Sequence, residues 1–234
     1  MSSSNLQSLT SNRYAVIVAG GSGTRMQSAT PKQFLLLNGK PVLMHTVEAF
    51  YNSASKPKII IVLPAAFQST WGQLCKEYIF EIPHTLVNGG ETRFHSVKNA
   101  LDAIEDDNEA LVAVHDAVRP ITGETIINNS YQAAAVNGNA ITAVKSRDSV
   151  RQLKNGVSVS LLRDEVYLVQ TPQTFRLPQL KKAYEQSYSE KFTDDASVAE
   201  AAGFPVHLVE GSYKNIKITF PEDIAIAERF MVNS

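Results

Sequence analysis

One cysteine, Cys75, and one tryptophan stand in a chain of 234 residues. A single thiol cannot close an intramolecular disulfide, and no Cys/His cluster of zinc-ligand spacing surrounds it, so a reducing cytoplasm fits. Neither sign of charge dominates. The 22 Lys and Arg against 23 Asp and Glu exclude a global positive field that would draw in nucleic acid or an anionic membrane. Any site for a polyanion must be local. Long hydrophobic runs are missing too: Ile59–Phe67, the densest, contains Pro64 and is about half of what crosses a bilayer. Met1–Asn12 is Ser-rich and polar, with no basic stretch leading into an apolar core, and reads as a disordered tail and not a signal peptide.

What is present is ordinary globular material, 44% apolar and 19% charged, enough for a sizeable core. Short Val- and Ile-rich runs alternate with amphipathic stretches, as in an α/β fold with a mostly parallel sheet and helices on both faces. Strands are expected at Tyr14–Ala19, Lys58–Leu63, His84–Val87, Ala110–His115, Ala140–Val144, Val206–Val209 and Ile216–Thr219. Helices are expected at Val42–Tyr51, Thr92–Ile104 and Glu124–Val136, with a last one announced by Thr219-Phe220-Pro221-Glu222, the threonine capping. The rhythm breaks between 145 and 170. There Asp148–Leu153 and Val157–Leu161 alternate around Asn155-Gly156, a hairpin signature. Residues 13–234 therefore read as one domain, with 145–170 including an arm that projects toward a partner.

The strongest local signal is Ala19-Gly20-Gly21-Ser22-Gly23-Thr24-Arg25-Met26, straight after a strand and followed by Pro31-Lys32-Gln33. Three glycines let the backbone approach phosphate oxygens closely, and Arg25 and Lys32 add positive charge at the same mouth. A dinucleotide fingerprint would need glycine where Met26 stands. A Walker loop fails as well, because Asn38-Gly39-Lys40 runs into Pro41. A second strand end delivers His115-Asp116-Ala117-Val118-Arg119-Pro120. There Asp116 could meet a ribose hydroxyl or a metal and Arg119 a substrate phosphate, or the two could simply pair across a turn; His115 reads as mainly structural. A third, Asn88-Gly89-Gly90-Glu91-Thr92-Arg93-Phe94-His95-Ser96, offers backbone groups and the Ser96 hydroxyl to the edge of a base, or is only a glycine turn before a helix. In Asn215-Ile216-Lys217-Ile218-Thr219, Lys217 alternates against two isoleucines and so points off the apolar face.

These pieces, with Gln170-Thr171-Pro172-Gln173, Thr193-Asp194-Asp195-Ala196-Ser197 and Val209-Glu210-Gly211-Ser212, resemble the 2-C-methyl-D-erythritol 4-phosphate cytidylyltransferases of the non-mevalonate isoprenoid pathway over about residues 14 to 232. The resemblance implies a nucleotidyltransferase-type Rossmann-like fold. It also implies transfer of CMP from CTP to methylerythritol phosphate with Mg2+ or another divalent ion on the triphosphate. Arg25, Lys32 and Lys217 would be the catalytic cations. CTP would be held by Ala19, Gly20, Gly21, Ser22, Gly23, Thr24, Arg25, Lys32, Gly90, Glu91, Ser96, Asp116 and Ala117, with Asp116 near the metal. Arg119, Ser149, Arg163, Thr171 and Lys217 would surround the acceptor, and the arm would complete the site of a second subunit in a homodimer. Ser149 stands where threonine is expected, which keeps the hydroxyl. A ribitol 5-phosphate cytidylyltransferase is the nearest rival. A nucleotide-dependent oxidoreductase is disfavoured by Met26, and a non-catalytic nucleotide-binding module by the three cations together.

Overall fold

The computed structural model describes residues 12–20 and 30–232. Along the chain come β1 (Arg13–Val18), β2 (Leu36–Leu37), β3 (Lys40–Pro41), α1 (Val42–Asn52), β4 (Lys58–Leu63), α2 (Ala65–Glu77), β5 (Thr85–Asn88), α3 (Arg93–Asp102), β6 (Leu111–Asp116), α4 (Glu124–Asn137), β7 (Asn139–Lys145), β8 (Arg151–Lys154), β9 (Val157–Ser160), β10 (Tyr167–Arg176), α5 (Leu177–Ala183), α6 (Asp195–Ala201), β11 (Leu208–Glu210) and α7 (Glu222–Val232). Seven strands form one sheet in the order β11-β7-β10-β6-β1-β4-β5. All its pairings are parallel except those of β10, which runs antiparallel to both β6 and β7.

Alternation along the central strands feeds two cores. On β1 and β6, Val16, Val112 and Val114 face α3, α5 and α6, where Phe94, Val97, Leu180 and Val198 are buried. Their neighbours Ala15, Ile17, Leu111 and Ala113 face the other way, against Leu43 and Phe50 of α1, Trp71 of α2 and Tyr131 of α4. Strands buried on both faces read as nearly continuous apolar runs, which is why these segments stand out in the sequence. From β1 the chain moves outward to β4 and β5, then returns to β6 on β1's other side. That reversal opens a crevice beyond the carboxyl ends of β1 and β6, where ligands bind in open α/β sheets.

The hairpin of β8 and β9 pairs antiparallel as a separate two-stranded sheet. All of residues 151–165 are exposed, Leu153, Val157 and Leu162 among them. Two local expectations are corrected. Ile216–Thr219 is irregular and makes no ladder. Thr219 is no side-chain cap either: its hydroxyl donates to the Lys217 carbonyl, while the Asp223 carboxylate accepts from the backbone N–H of Thr219 and Phe220. The segment is seated instead by Ile218, buried with Leu37, Val42 and Val118, and by one main-chain bond from Ile218 N to the Val118 carbonyl at 2.9 Å.

Candidate active site

The crevice holds a cavity of about 200 Å3. β1 and the turn after it supply Val18, Ala19 and Gly20, and the end of β6 supplies Asp116, Ala117 and Val118. The turn after β5 and the start of α3 bring Gly90, Glu91, Thr92, Arg93 and Ser96. Lys32, Gln33 and Lys217 close the rim. Gln33 is buried and donates from Nε2 to the Ala19 carbonyl at 3.1 Å, so the short helical turn Lys32–Phe34 is tied to the end of β1.

Glycine is required at position 90. A Cβ there would collide with the Cβ of His95, so only glycine lets the turn lie this close to α3. Its N–H donates to Ser96 Oγ at 3.0 Å, and Thr92 caps α3 by accepting from the backbone N–H of His95.

Asp116 is the electrostatic centre. Lys217 Nζ lies 3.0 Å and Arg119 Nε 3.2 Å from its Oδ2, with Arg93 Nε 3.9 Å from Oδ1. Burial alone would raise its pKa, but Lys217, Arg93 and Arg119 outweigh that and hold the carboxyl well below the usual range. Arg93 in turn forms a bidentate pair with the fully buried Asp195 at the start of α6, at 2.9 and 2.5 Å, and Tyr184 Oη donates to the same carboxylate at 2.7 Å. Burial would lower the pKa of Arg93, yet Asp195, with help from Asp116, raises it above the ordinary arginine value. His115, wholly buried beside Phe50, is pushed by desolvation to about 4. Its Nε2 lies 3.2 Å from the Arg119 carbonyl, so that nitrogen carries the proton and the ring is neutral.

Of the residues singled out in the sequence, Ala19, Gly20, Lys32, Gly90, Glu91, Ser96, Asp116, Ala117 and Lys217 line the one cavity. Arg119 and Thr171 do not line it. They back Asp116, Arg119 through its side chain and Thr171 by accepting from the Asp116 N–H at 3.0 Å. Ser149 and Arg163 are exposed, outside the cavity, before and after the hairpin. Gly21, Ser22, Gly23, Thr24 and Arg25 lie outside the described residues. Gln33, Arg93 and Asp195 escaped sequence reasoning as site residues. The pairing of Arg93 with Asp195 joins two quoted motifs 102 residues apart, a separation that local spacing does not reveal. Among the described residues no group of three or more His, Cys, Asp or Glu could hold a metal, and no helix is long and apolar enough to cross a membrane.

Comparison with known proteins gives the chain's family. The IspD family model, 2-C-methyl-D-erythritol 4-phosphate cytidylyltransferase, matches residues 14–233. The enzyme of that name from Phocaeicola vulgatus is 49% identical over 217 residues, covering 93% of this chain and 98% of the relative. That from Porphyromonas gingivalis is 43% identical, covering 94% and 98%. Among solved structures, 4-diphosphocytidyl-2C-methyl-D-erythritol synthase from Anaerococcus prevotii superposes with a TM-score of 0.81 at 30% identity, covering 95% of this chain and 96% of that one. The Francisella tularensis 2-C-methyl-D-erythritol 4-phosphate cytidylyltransferase gives 0.76 at 36% identity, covering 94% and 99%. The chain described here belongs to the 2-C-methyl-D-erythritol 4-phosphate cytidylyltransferase family.

Proposed function

We propose that the cavity at the ends of β1 and β6 transfers CMP from CTP to 2-C-methyl-D-erythritol 4-phosphate, releasing pyrophosphate and 4-diphosphocytidyl-2-C-methyl-D-erythritol. One observation carries the placement. The described lining gathers cations around a carboxylate held ionised, and includes no histidine that could act as a base near neutral pH. Such a site suits a nucleophile that is already an anion. The acceptor's phosphate oxygen attacks the α-phosphorus, the bond to the pyrophosphate oxygen breaks, and no proton need be removed first. Positioning and charge neutralisation then carry the rate.

In this reading Ala19, Gly20, Gly90, Glu91 and Ser96 hold the nucleotide, Asp116 and Ala117 lie at its ribose, and Lys32 and Lys217 neutralise charge on the phosphates. Arg25 and Gly21–Thr24 would join them. Asp116 provides a single hard oxygen ligand, which fits a divalent ion such as Mg2+ shared with a triphosphate better than a cage made by protein alone. Asp116 would help hold such an ion, which would supply positive charge to the phosphates. Lys217, with Arg119 and Thr171 behind Asp116, makes up the acceptor half. Ser149 and Arg163 belong to it through the arm: its apolar side chains Leu153, Val157 and Leu162 are exposed, so a second copy is their natural cover and the two arms would complete each other's sites. The single, half-buried thiol of Cys75 suits a reducing cytoplasm.

Mass analysis of the product formed from CTP, Mg2+ and each of two acceptors tests the reading. A cytidine diphosphate ester of methylerythritol is expected. An ester formed only with ribitol 5-phosphate would keep the nucleotide half and refute the acceptor.

A further inference from the structure

We infer that Asn215 is a positioning residue for the acceptor half of the site, acting through Arg119, Thr171 and Lys217 without touching substrate. The inference rests on the function proposed above. Its starting point is the irregular segment that carries Lys217. With no ladder to hold it, that segment is fastened by side-chain amides. Gln170 Nε2 donates to the Ser212 carbonyl at 2.8 Å, and Gln170 Oε1 accepts from the Ser212 N–H at 3.3 Å. Gly211 permits this approach, since a Cβ there would collide with Gln170 Oε1.

Asn215 is the second fastening and the more connected one. It is completely buried. Its Nδ2 donates to the Thr171 carbonyl at 2.9 Å and to Gln170 Oε1 at 3.3 Å, and its Oδ1 accepts from Thr122 Oγ1 at 2.9 Å. Its own carbonyl accepts from Arg119 Nη1 at 2.8 Å. A ring therefore closes: Asp116 meets Arg119, Arg119 meets Asn215, and two residues on Lys217 returns to Asp116. Thr171, held by Asn215 through its carbonyl, braces the Asp116 N–H with its hydroxyl. The amide thus joins the three parts of the chain that carry Arg119, Thr171 and Lys217. Gly90, Glu91 and Ser96 come from the turn after β5 and the start of α3, where Gly90 N–H donates to Ser96 Oγ. A fault at Asn215 should therefore fall most heavily on acceptor binding and turnover, through Arg119 and Thr171, and reach CTP less, through Asp116 and Lys217. A scaffold fault would loosen both sides equally.

Asn215→Asp keeps the shape and replaces Nδ2, the single atom that makes both donations, by a carboxylate oxygen facing the Thr171 carbonyl and Gln170 Oε1. Thr122→Val is gentler, removing the hydroxyl that donates to Oδ1, and Thr122→Ser restores it. The experiment measures kcat and both KM values for these three variants and for Lys217→Ala, with thermal melting alongside. Asn215→Asp and Thr122→Val are expected to raise the acceptor KM about tenfold or more and to lower kcat, with a clearly smaller rise in the CTP KM, while Thr122→Ser stays near wild type. Equal rises in both KM values, or a lowered melting temperature with unchanged kinetics, would overturn the inference alone. If Asn215→Asp does not fold, the Thr122 pair decides on the same criteria. Wild-type kinetics in Lys217→Ala would overturn the functional placement and the inference with it.

Discussion

Lys217 Nζ and Asp116 Oδ2 stand 3.0 Å apart at the cavity, one side chain from an irregular segment near the C-terminus and the other from the end of β6. The lysine's charge is therefore engaged by Asp116. A triphosphate entering the cavity offers it a more highly charged partner. A cation that changes partners when charge arrives can stabilise a crowded, five-coordinate phosphorus more than the ground state, which is what raises kcat.

Lys217→Ala is accordingly expected to lower kcat by about 100-fold or more, roughly 2.7 kcal/mol of transition-state stabilisation. Steady-state kinetics with a melting curve would check this. A folded variant of unchanged kcat would remove Lys217 from the chemistry.

Arg163 lies in the exposed arm and outside the cavity of its own chain. Arg163→Ala should raise the acceptor KM more than the CTP KM. If the arms serve each other's subunits, mixing Arg163→Ala with Lys217→Ala protein should regain about a quarter of wild-type activity, from the one intact site of each mixed dimer. No recovery after subunit exchange would place Arg163 in its own chain's site or in none.

Gly90 leaves no room for a side chain beside His95. Gly90→Ala should cost about 1–3 kcal/mol of stability and raise the CTP KM, because the turn must move away from α3 to admit the methyl group. Wild-type melting and CTP binding would show that the turn has slack.

Acid sensitivity follows from His115, whose buried ring sits at about 4. The native state resists a proton that the unfolded chain takes up below about 6.5, so stability is intact above that pH and falls as pH drops toward 4, by up to about 1.4 kcal/mol per unit. Asp116, depressed further, adds a loss only at lower pH. Chemical denaturation from pH 4 to 8 should show the slope, and His115→Gln should flatten it. An unchanged slope in that variant would point to another group.

Much of the fold is legible in the sequence because β1, β4, β6 and β7 are buried on both faces along most of their length and so carry short, nearly unbroken apolar runs. β10 is hidden for the opposite reason: Gln170, Thr171, Gln173 and Thr174 are buried as polar groups satisfied by hydrogen bonds, and no hydrophobic pattern betrays them. α2 escapes because only Trp71 among its residues is fully buried, leaving little periodicity to see. Around Lys217 the alternation reads side-chain direction correctly while the ladder it implies is absent, since amides from Gln170 and Asn215 fasten the segment in its place. Strand ends mark the cavity; the clamp of Arg93 by Asp195 belongs to tertiary structure alone.

The most direct test of the central claim is pyrophosphate release from CTP and Mg2+ by the purified protein, with methylerythritol 4-phosphate or ribitol 5-phosphate as acceptor, in wild type and in Lys217→Ala. The expected result is release with methylerythritol 4-phosphate alone, abolished or nearly so in the variant. Release with ribitol 5-phosphate only, or release that ignores the loss of Lys217, would contradict the account.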